Sequence, residues 1–224
     1  MSSTSKNILI LAAHPDDEVL GCGGVIQKHV AEGCRVFVGI VTDGSSSQYP
    51  SDIQKYHTKI KECEAANKLL GVTEVAFLNF PDMKLDTVPH IELNNKINEL
   101  VEKIRPNIIY THSKSDLNLD HIAIAHSTEV VSRPGKVYLE KVLAYEVLSS
   151  SEWSRMETFQ PNVFVDVEQY LEKKVEALEL YKTEYREYPH PRSSEGIQTL
   201  AQYRGLQSGF RKAEAFKLIV AYEK

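Results

Sequence analysis

The sequence predicts an α/β fold: a three-layer sandwich, with a mainly parallel sheet between helices and a C-terminal helix/strand extension. Three observations predict it. Strand-like apolar runs alternate with helix-periodic stretches over the first two thirds of the chain, and repeated strand–helix–strand order implies parallel pairing through crossovers. The runs at 8–11 and 36–41 are almost continuously apolar, as strands buried on both faces should be. The 224 residues suffice for one full hydrophobic core. We read them as a single domain, with a core over 1–150 and an extension over 151–224 that shapes a substrate pocket.

The elements follow in order. Residues 7–11 form the first strand. Val19, Cys22, Ile26 and Val30 recur at helical spacing, and Gly33 ends that helix. A second strand at 35–41 closes on Thr42-Asp43-Gly44, before a polar loop at 45–51. Ile53, Tyr56, Ile60, Cys63 and Leu70 mark the face of a helix stopped by Gly71. A third strand at 74–78 leads through a loop at 79–86 to a helix marked by Leu93, Ile97, Leu100 and Ile104. That helix ends before Pro106, because the residue ahead of a proline is biased away from the α region. The fourth strand is 107–110, followed by a loop at 111–119, a helix from 121 to about 132 and a fifth strand at 141–147. In the last third, 163–167 reads as a short strand, and Val167, Leu171, Val175, Leu178 and Tyr181 as an amphipathic helix. A Tyr- and Pro-rich loop over 184–196, a helix over 197–213 and a strand over 216–222 close the chain.

Composition excludes several classes. A net charge of −5 argues against a nucleic-acid binder that relies on a basic face. No apolar run approaches the length of a membrane span, and the first residues lack a signal-peptide apolar region. Cys22, Cys34 and Cys63 form no CxxC pair, and their odd number argues against a disulfide framework. These features place the chain in a reducing cytoplasm. The oligomeric state stays open, a homo-oligomer included.

The chemistry concentrates in residues 11–18, between the first strand and its helix. Open α/β sheets bind their ligands at such carboxyl-terminal strand ends. His14 and Asp17 are placed to converge on one metal, with Asp16 between them facing what the metal holds. A catalytic zinc usually takes three protein ligands and leaves a position for water. The third should come from another strand end, and His121, after the fourth strand, is the best candidate. Asp120 would orient a neighbouring ligand, and Asp16 would be the general base toward a metal-activated water. His29, His57 and His90 lie on helices and read as packing or surface residues. The Gly21-Cys22-Gly23-Gly24 run lies inside a helix, which suits close packing better than dinucleotide binding.

With Ala13-His14-Pro15-Asp16-Asp17-Glu18, Thr42-Asp43-Gly44, residues 116–121 and Ala213-Glu214-Ala215-Phe216, the sequence resembles the PIG-L/LmbE-like zinc-dependent N-deacetylases over essentially its whole length. The resemblance implies a Rossmann-like fold without a dinucleotide. It also implies removal of acetyl from an N-acetylated amino sugar or its conjugate, a small-molecule partner. By the same resemblance His14, Asp17 and His121 are zinc ligands, Asp16 is the base and Glu18 supports them. Iron(II) in place of zinc stays open on ligand chemistry.

The pattern departs at Asn118, where several relatives carry a His able to donate to the oxyanion. Asn118 still offers a hydrogen bond but cannot transfer a proton; either another His supplies the acid, with His190 the candidate, or Asp16 carries the proton to the amine itself. Lys59 and Lys61 stand where relatives often place an Arg. For the substrate, the candidates are Arg133 and Arg192 as anion anchors, with Arg204 and Arg211 in the same class, together with Glu146 and Trp153. Glu146 and Trp153 lie in a segment resembling that of family members acting on saccharides. Tyr145, Tyr185 and Tyr188 are read as rim aromatics. The expected substrate is an N-acetylated amino sugar, nucleotide-linked or otherwise conjugated. The alternatives are a sugar–thiol precursor or another amide conjugate and, in a different class, a non-enzymatic metal- or ligand-binding module.

Overall fold

The structure, a computed structural model, describes residues 5–47 and 52–223. The rest of the polar loop read at 45–51, residues 48–51, lies outside the described residues. The elements run β1 (Asn7–Ala12), α1 (Asp17–Ala31), β2 (Arg35–Thr42), α2 (Ile53–Leu70), β3 (Glu74–Phe80), α3 (His90–Ile104), β4 (Ile108–His112) and α4 (Leu119–Val131). They continue with β5 (Lys141–Tyr145), β6 (Val163–Asp166), α5 (Leu171–Leu180), α6 (Ser194–Ser208) and β7 (Ala213–Ala221). One seven-stranded sheet has the order β3-β2-β1-β4-β5-β7-β6. The first five strands pair in parallel, and β7 pairs antiparallel with both β5 and β6.

Side-chain alternation explains the continuous apolar runs. Ile8, Ile10 and Ala12 of β1 enter one core with α1, α2 and α5, whereas Leu9, Leu11 and Ala13 enter the other with α3 and α4. A strand that feeds two cores has no polar face to show. The chain reverses its winding direction between β1 and β4, and the crevice above their carboxyl ends is where such sheets bind ligands.

Several predicted boundaries shift. α1 begins at Asp17, ahead of the expected Val19, so Asp17 and Glu18 belong to its first turn. β4 continues through His112, two residues into the predicted loop. α6 stops at Ser208 rather than 213, because Gly209 turns to φ 77 and breaks the ladder. The segment expected as an extension supplies β6 and β7 to the same sheet.

The glycine run in α1 has a packing cause. A Cβ at Gly21 would lie 2.2 Å from the Tyr145 ring, and one at Gly23 would lie 2.7 Å from the Lys174 side chain. Glu214 reaches past Gly24, accepting from the Gly24 and Val25 backbone N–H groups at 2.8 and 2.7 Å, while Lys174 Nζ pairs with Glu214 at 2.6 Å. The helix that carries the site is therefore pinned from the last strand and from α5. Gly21→Ala is expected to destabilise the fold by about 1–3 kcal/mol, since Tyr145 is fully buried and has nowhere to move. Urea unfolding of the variant checks this.

Candidate active site

The residues after β1 are fixed before any partner arrives. Asp17 Oδ2 accepts from the His14 backbone N–H at 2.8 Å, and the Asp16 carbonyl accepts from Leu20 N at 2.9 Å. Asp16 itself lies at φ 126, a conformation that costs a non-glycine residue about 1–3 kcal/mol and persists only where its surroundings over-determine it. Its backbone N–H donates to Glu18 Oε2 at 3.1 Å. Glu18, fully buried, also accepts from Asn67 Nδ2 and the Tyr181 hydroxyl, tying the loop to α2 and to the end of α5.

The loop after β4 supplies the facing wall. Asn118 caps α4, its Oδ1 accepting from Asp120 N at 2.9 Å, and this places His121 in the first helical turn. Across the crevice His14 Nδ1 lies 3.1 Å from Asp17 Oδ2, His121 Nε2 lies 3.2 Å from the same oxygen, and the two ring nitrogens are 3.4 Å apart. Tetrahedral zinc, with bonds of about 2.0–2.1 Å to nitrogen and oxygen, needs donor separations of about 3.3 Å. The triangle fits such an ion, and Asp17 Oδ1 is buried without a hydrogen-bond partner.

Each imidazole is backed by carboxylates, as metal-bound histidines usually are. His14 Nε2 faces Asp120 Oδ2 at 3.2 Å and Asp82 Oδ1 at 3.4 Å. His121 Nδ1 faces Asp116 Oδ1 at 3.1 Å, and Asp116 is held by the Ser150 and Ser151 hydroxyls. Asp120 in turn accepts from the backbone N–H groups of Met83 and Leu85 at 2.8 and 2.9 Å.

The carboxylates dominate the electrostatics. Burial disfavours charge on both imidazoles, yet hydrogen bonds to the Asp120 and Asp17 carboxylates lift His14 to about 10. The charge of Asp17 and the Asp116 hydrogen bond lift His121 to about 9. Burial pushes Asp17 upward as well, but His121 and His14 overcome it and hold the carboxyl well below its ordinary range. The same surplus of negative charge suits a divalent cation, whose binding would release those imidazole protons. Asp16 behaves differently: burial pushes it up to about 8, opposed mainly by Arg192.

Arg192 Nη1 lies 3.0 Å from Asp16 Oδ2 and 2.7 Å from Glu184 Oε2. Glu184 pairs with Lys59 Nζ at 2.8 Å, and Lys59 donates to the Gly44 carbonyl at 2.6 Å. An alternating chain of charges thus joins Asp16 to the Thr42-Asp43-Gly44 loop. The structure brings Arg192 to the cluster, but spends it on Asp16, Glu184 and the Ser149 hydroxyl.

Other expected residues fall elsewhere. Arg133 follows the far end of α4, which begins at the site and runs about 20 Å away from it; it lines a groove with Asn94, Asn98 and Lys136 and is corrected as a substrate anchor. Glu146 is half-buried and is paired with Arg204 through two contacts of 2.7 and 2.6 Å. Tyr145 is no rim residue: it is buried, and its hydroxyl donates to the Leu11 carbonyl at 2.7 Å. Arg211 is exposed at the start of β7, beyond α6. Asn118 spends its carbonyl on the helix cap, and its Nδ2 faces the Met83 sulfur at 3.5 Å. Trp153 and His190 meet edge to face at 5.9 Å, with Tyr188 exposed nearby in sequence. His190 accepts from Arg192 N at 3.1 Å, and burial lowers its pKa.

Sequence reasoning missed His112, Asp82 and Glu184, and gave Asp116, the first residue of the 116–121 motif, no role of its own. His112 is fully buried, accepts from Ala13 N at 2.9 Å and stacks on the His121 ring at 3.9 Å. Burial, then the charge of His121, hold its pKa well below the ordinary value. It fixes the exit of β1 against β4, and its place just past the apolar run at 108–110 was the available signal.

A Rossmann-type sheet that gathers two imidazoles and a carboxylate at its switch point, beside a second buried carboxylate, defines an α/β protein with a hydrolase-like candidate metal centre. Residues 9–132 match the family model for PIG-L, GlcNAc-PI de-N-acetylase. The chain is 32% identical over 187 residues to the uncharacterized deacetylase YaiS of Escherichia coli, covering 80% of this chain and 91% of that one. It belongs to the PIG-L family. Diacetylchitobiose deacetylase of Thermococcus kodakarensis is 25% identical over 224 residues, covering 96% and 83% of the two chains. The fold is also that of GalB, the 4-carboxy-2-hydroxymuconate hydratase of Pseudomonas putida KT2440, at a TM-score of 0.79 and 19% identity over 98% of both chains. The fold alone therefore does not set the reaction.

Proposed function

We propose that the protein is a metal-dependent hydrolase that removes acetyl from the amide of an N-acetylated amino sugar or its conjugate. The observation that carries this reading is the triangle of His14, Asp17 and His121 donors with Asp16 beside it. His14, Asp17 and His121 would hold the ion, zinc by ligand chemistry. When bound there, such an ion polarises the amide carbonyl and makes water acidic enough to attack near neutral pH.

The chain's own residues do the rest. Arg192 holds Asp16 Oδ2, which leaves Oδ1 to take the proton of the attacking water. Asp16 then delivers that proton to the departing amine nitrogen, giving acetate and a free amine. Asp116 and Asp120 keep the two imidazoles in orientation. Trp153 and Tyr188 present aromatic surface suited to a sugar face. The similarity to a diacetylchitobiose deacetylase supports an amino-sugar substrate, and we place a nucleotide-linked amino sugar among the candidates.

The test is acetate release by the metal-loaded protein across free, chitobiose-type, inositol- or malate-linked and nucleotide-linked N-acetyl amino sugars. At least one should turn over, with the free amine formed in equal amount. A protein that binds transition metal yet releases no acetate from any of them would return the reading to a binding module.

A further inference from the structure

Three metal donors of different kinds also meet at the other end of α1. The helix closes on a left-handed turn at Gly33, φ 79, with Gly33 N donating to the Val30 carbonyl at 3.0 Å and Cys34 N to the His29 carbonyl at 2.9 Å. A turn with these two bonds brings the side chains of its first and last residues together, a contact that is ordinarily apolar. Here the two are an imidazole and a thiol, with the Glu32 carboxylate between them in sequence. The donor atoms of His29, Glu32 and Cys34 all lie within 4.8 Å of one another.

The imidazole is prepared as a ligand. His29 Nε2 lies 3.0 Å from the Tyr110 hydroxyl, in the way an outer partner fixes the tautomer of a metal-bound histidine. Either group can donate in this contact; in the tautomer whose Nε2–H donates to the Tyr110 hydroxyl, the lone pair falls on Nδ1. That nitrogen is shielded from solvent, has no hydrogen-bond partner and lies 3.7 Å from Glu32 Oε2. Helix packing accounts for none of this: an apolar side chain at position 29 would satisfy the turn without leaving a buried nitrogen unpaired.

We propose that His29, Glu32 and Cys34 form a second metal site, for zinc or a similar borderline-soft divalent cation, separate from the active site. Thiolate with imidazole and carboxylate selects such an ion over magnesium. Three protein donors leave one position for water or a solution ligand. Binding displaces the Cys34 thiol proton to solvent. The 15 residues of α1 span about 22 Å, so the two sites share no donor. Cys22 and Cys63 are buried and belong to no donor group among the described residues, so any thiolate–metal signal reports Cys34.

The test is a cobalt(II) titration of the full chain, previously stripped with chelator, read by bound metal per chain and by thiolate-to-cobalt charge-transfer absorption. The wild-type chain should take two ions and show the band. Cys34→Ser should take one, lose the band and keep wild-type acetate release. Glu32→Gln, at an exposed carboxylate, should weaken the same site without unfolding risk. Absence of the band in the wild type, or a band and two ions retained by Cys34→Ser, overturns the proposal. Either result leaves the reading of the active site untouched, because that site contains no thiol.

Discussion

Asp16→Asn is expected to lower kcat by about 10²–10⁴-fold, the usual contribution of a general base. Metal content and KM should change little. The substituted amide keeps the shape of the carboxyl and still meets Arg192 through its oxygen, so the fold around φ 126 is preserved. What is lost is an oxygen able to accept the water's proton and pass it to the amine. The loss corresponds to about 3–5 kcal/mol of transition-state stabilisation. Steady-state acetate release, with metal analysis of the same preparation, checks both halves. Turnover within a few-fold of wild type would remove Asp16 from the mechanism, whatever the metal does.

His121→Ala should have the larger effect on the metal. Loss of an outer partner of a metal ligand costs about 10–100-fold in affinity, and loss of the donor itself costs more. Asp17 would keep His14 as its sole imidazole neighbour in the triangle, and Asp116 would lose the ring it orients. The variant should purify without the active-site ion and release no measurable acetate. The measurement is best made in a Cys34→Ser background, so that only one site is counted. A full ion retained with His121 absent would show that the donors lie elsewhere, with His14, Asp82 and Asp120 the next group that geometry offers.

The two variants separate what Asp16 does from what the ion does. One should keep the metal and lose turnover, and the other should lose both. Arg192 belongs with the first. Its guanidinium is committed to Asp16 and Glu184, so its effect should pass through the carboxylate rather than through a substrate anion.

The sequence by itself determined the layered architecture and the two loops that meet at the candidate site. Continuous apolar strands, helical spacing and glycine stops are local signals, and a His-Pro-Asp-Asp-Glu cluster behind a buried strand is dense enough to read without coordinates. That His14, Asp17 and His121 converge was legible because each sits beside a strand end, where topology brings separate loops together. Tertiary structure alone decided the supporting cast. Asp82 arrives from the loop after β3, Glu184 and Arg192 from the loop after α5, and Glu146 turns away to Arg204. A carboxylate's role depends on which cation or imidazole lies within about 3–4 Å of it, and contacts between separate loops leave no periodicity to read. Arg133 failed as an anchor for the same reason: its charge was visible, but the direction in which α4 carries it was not.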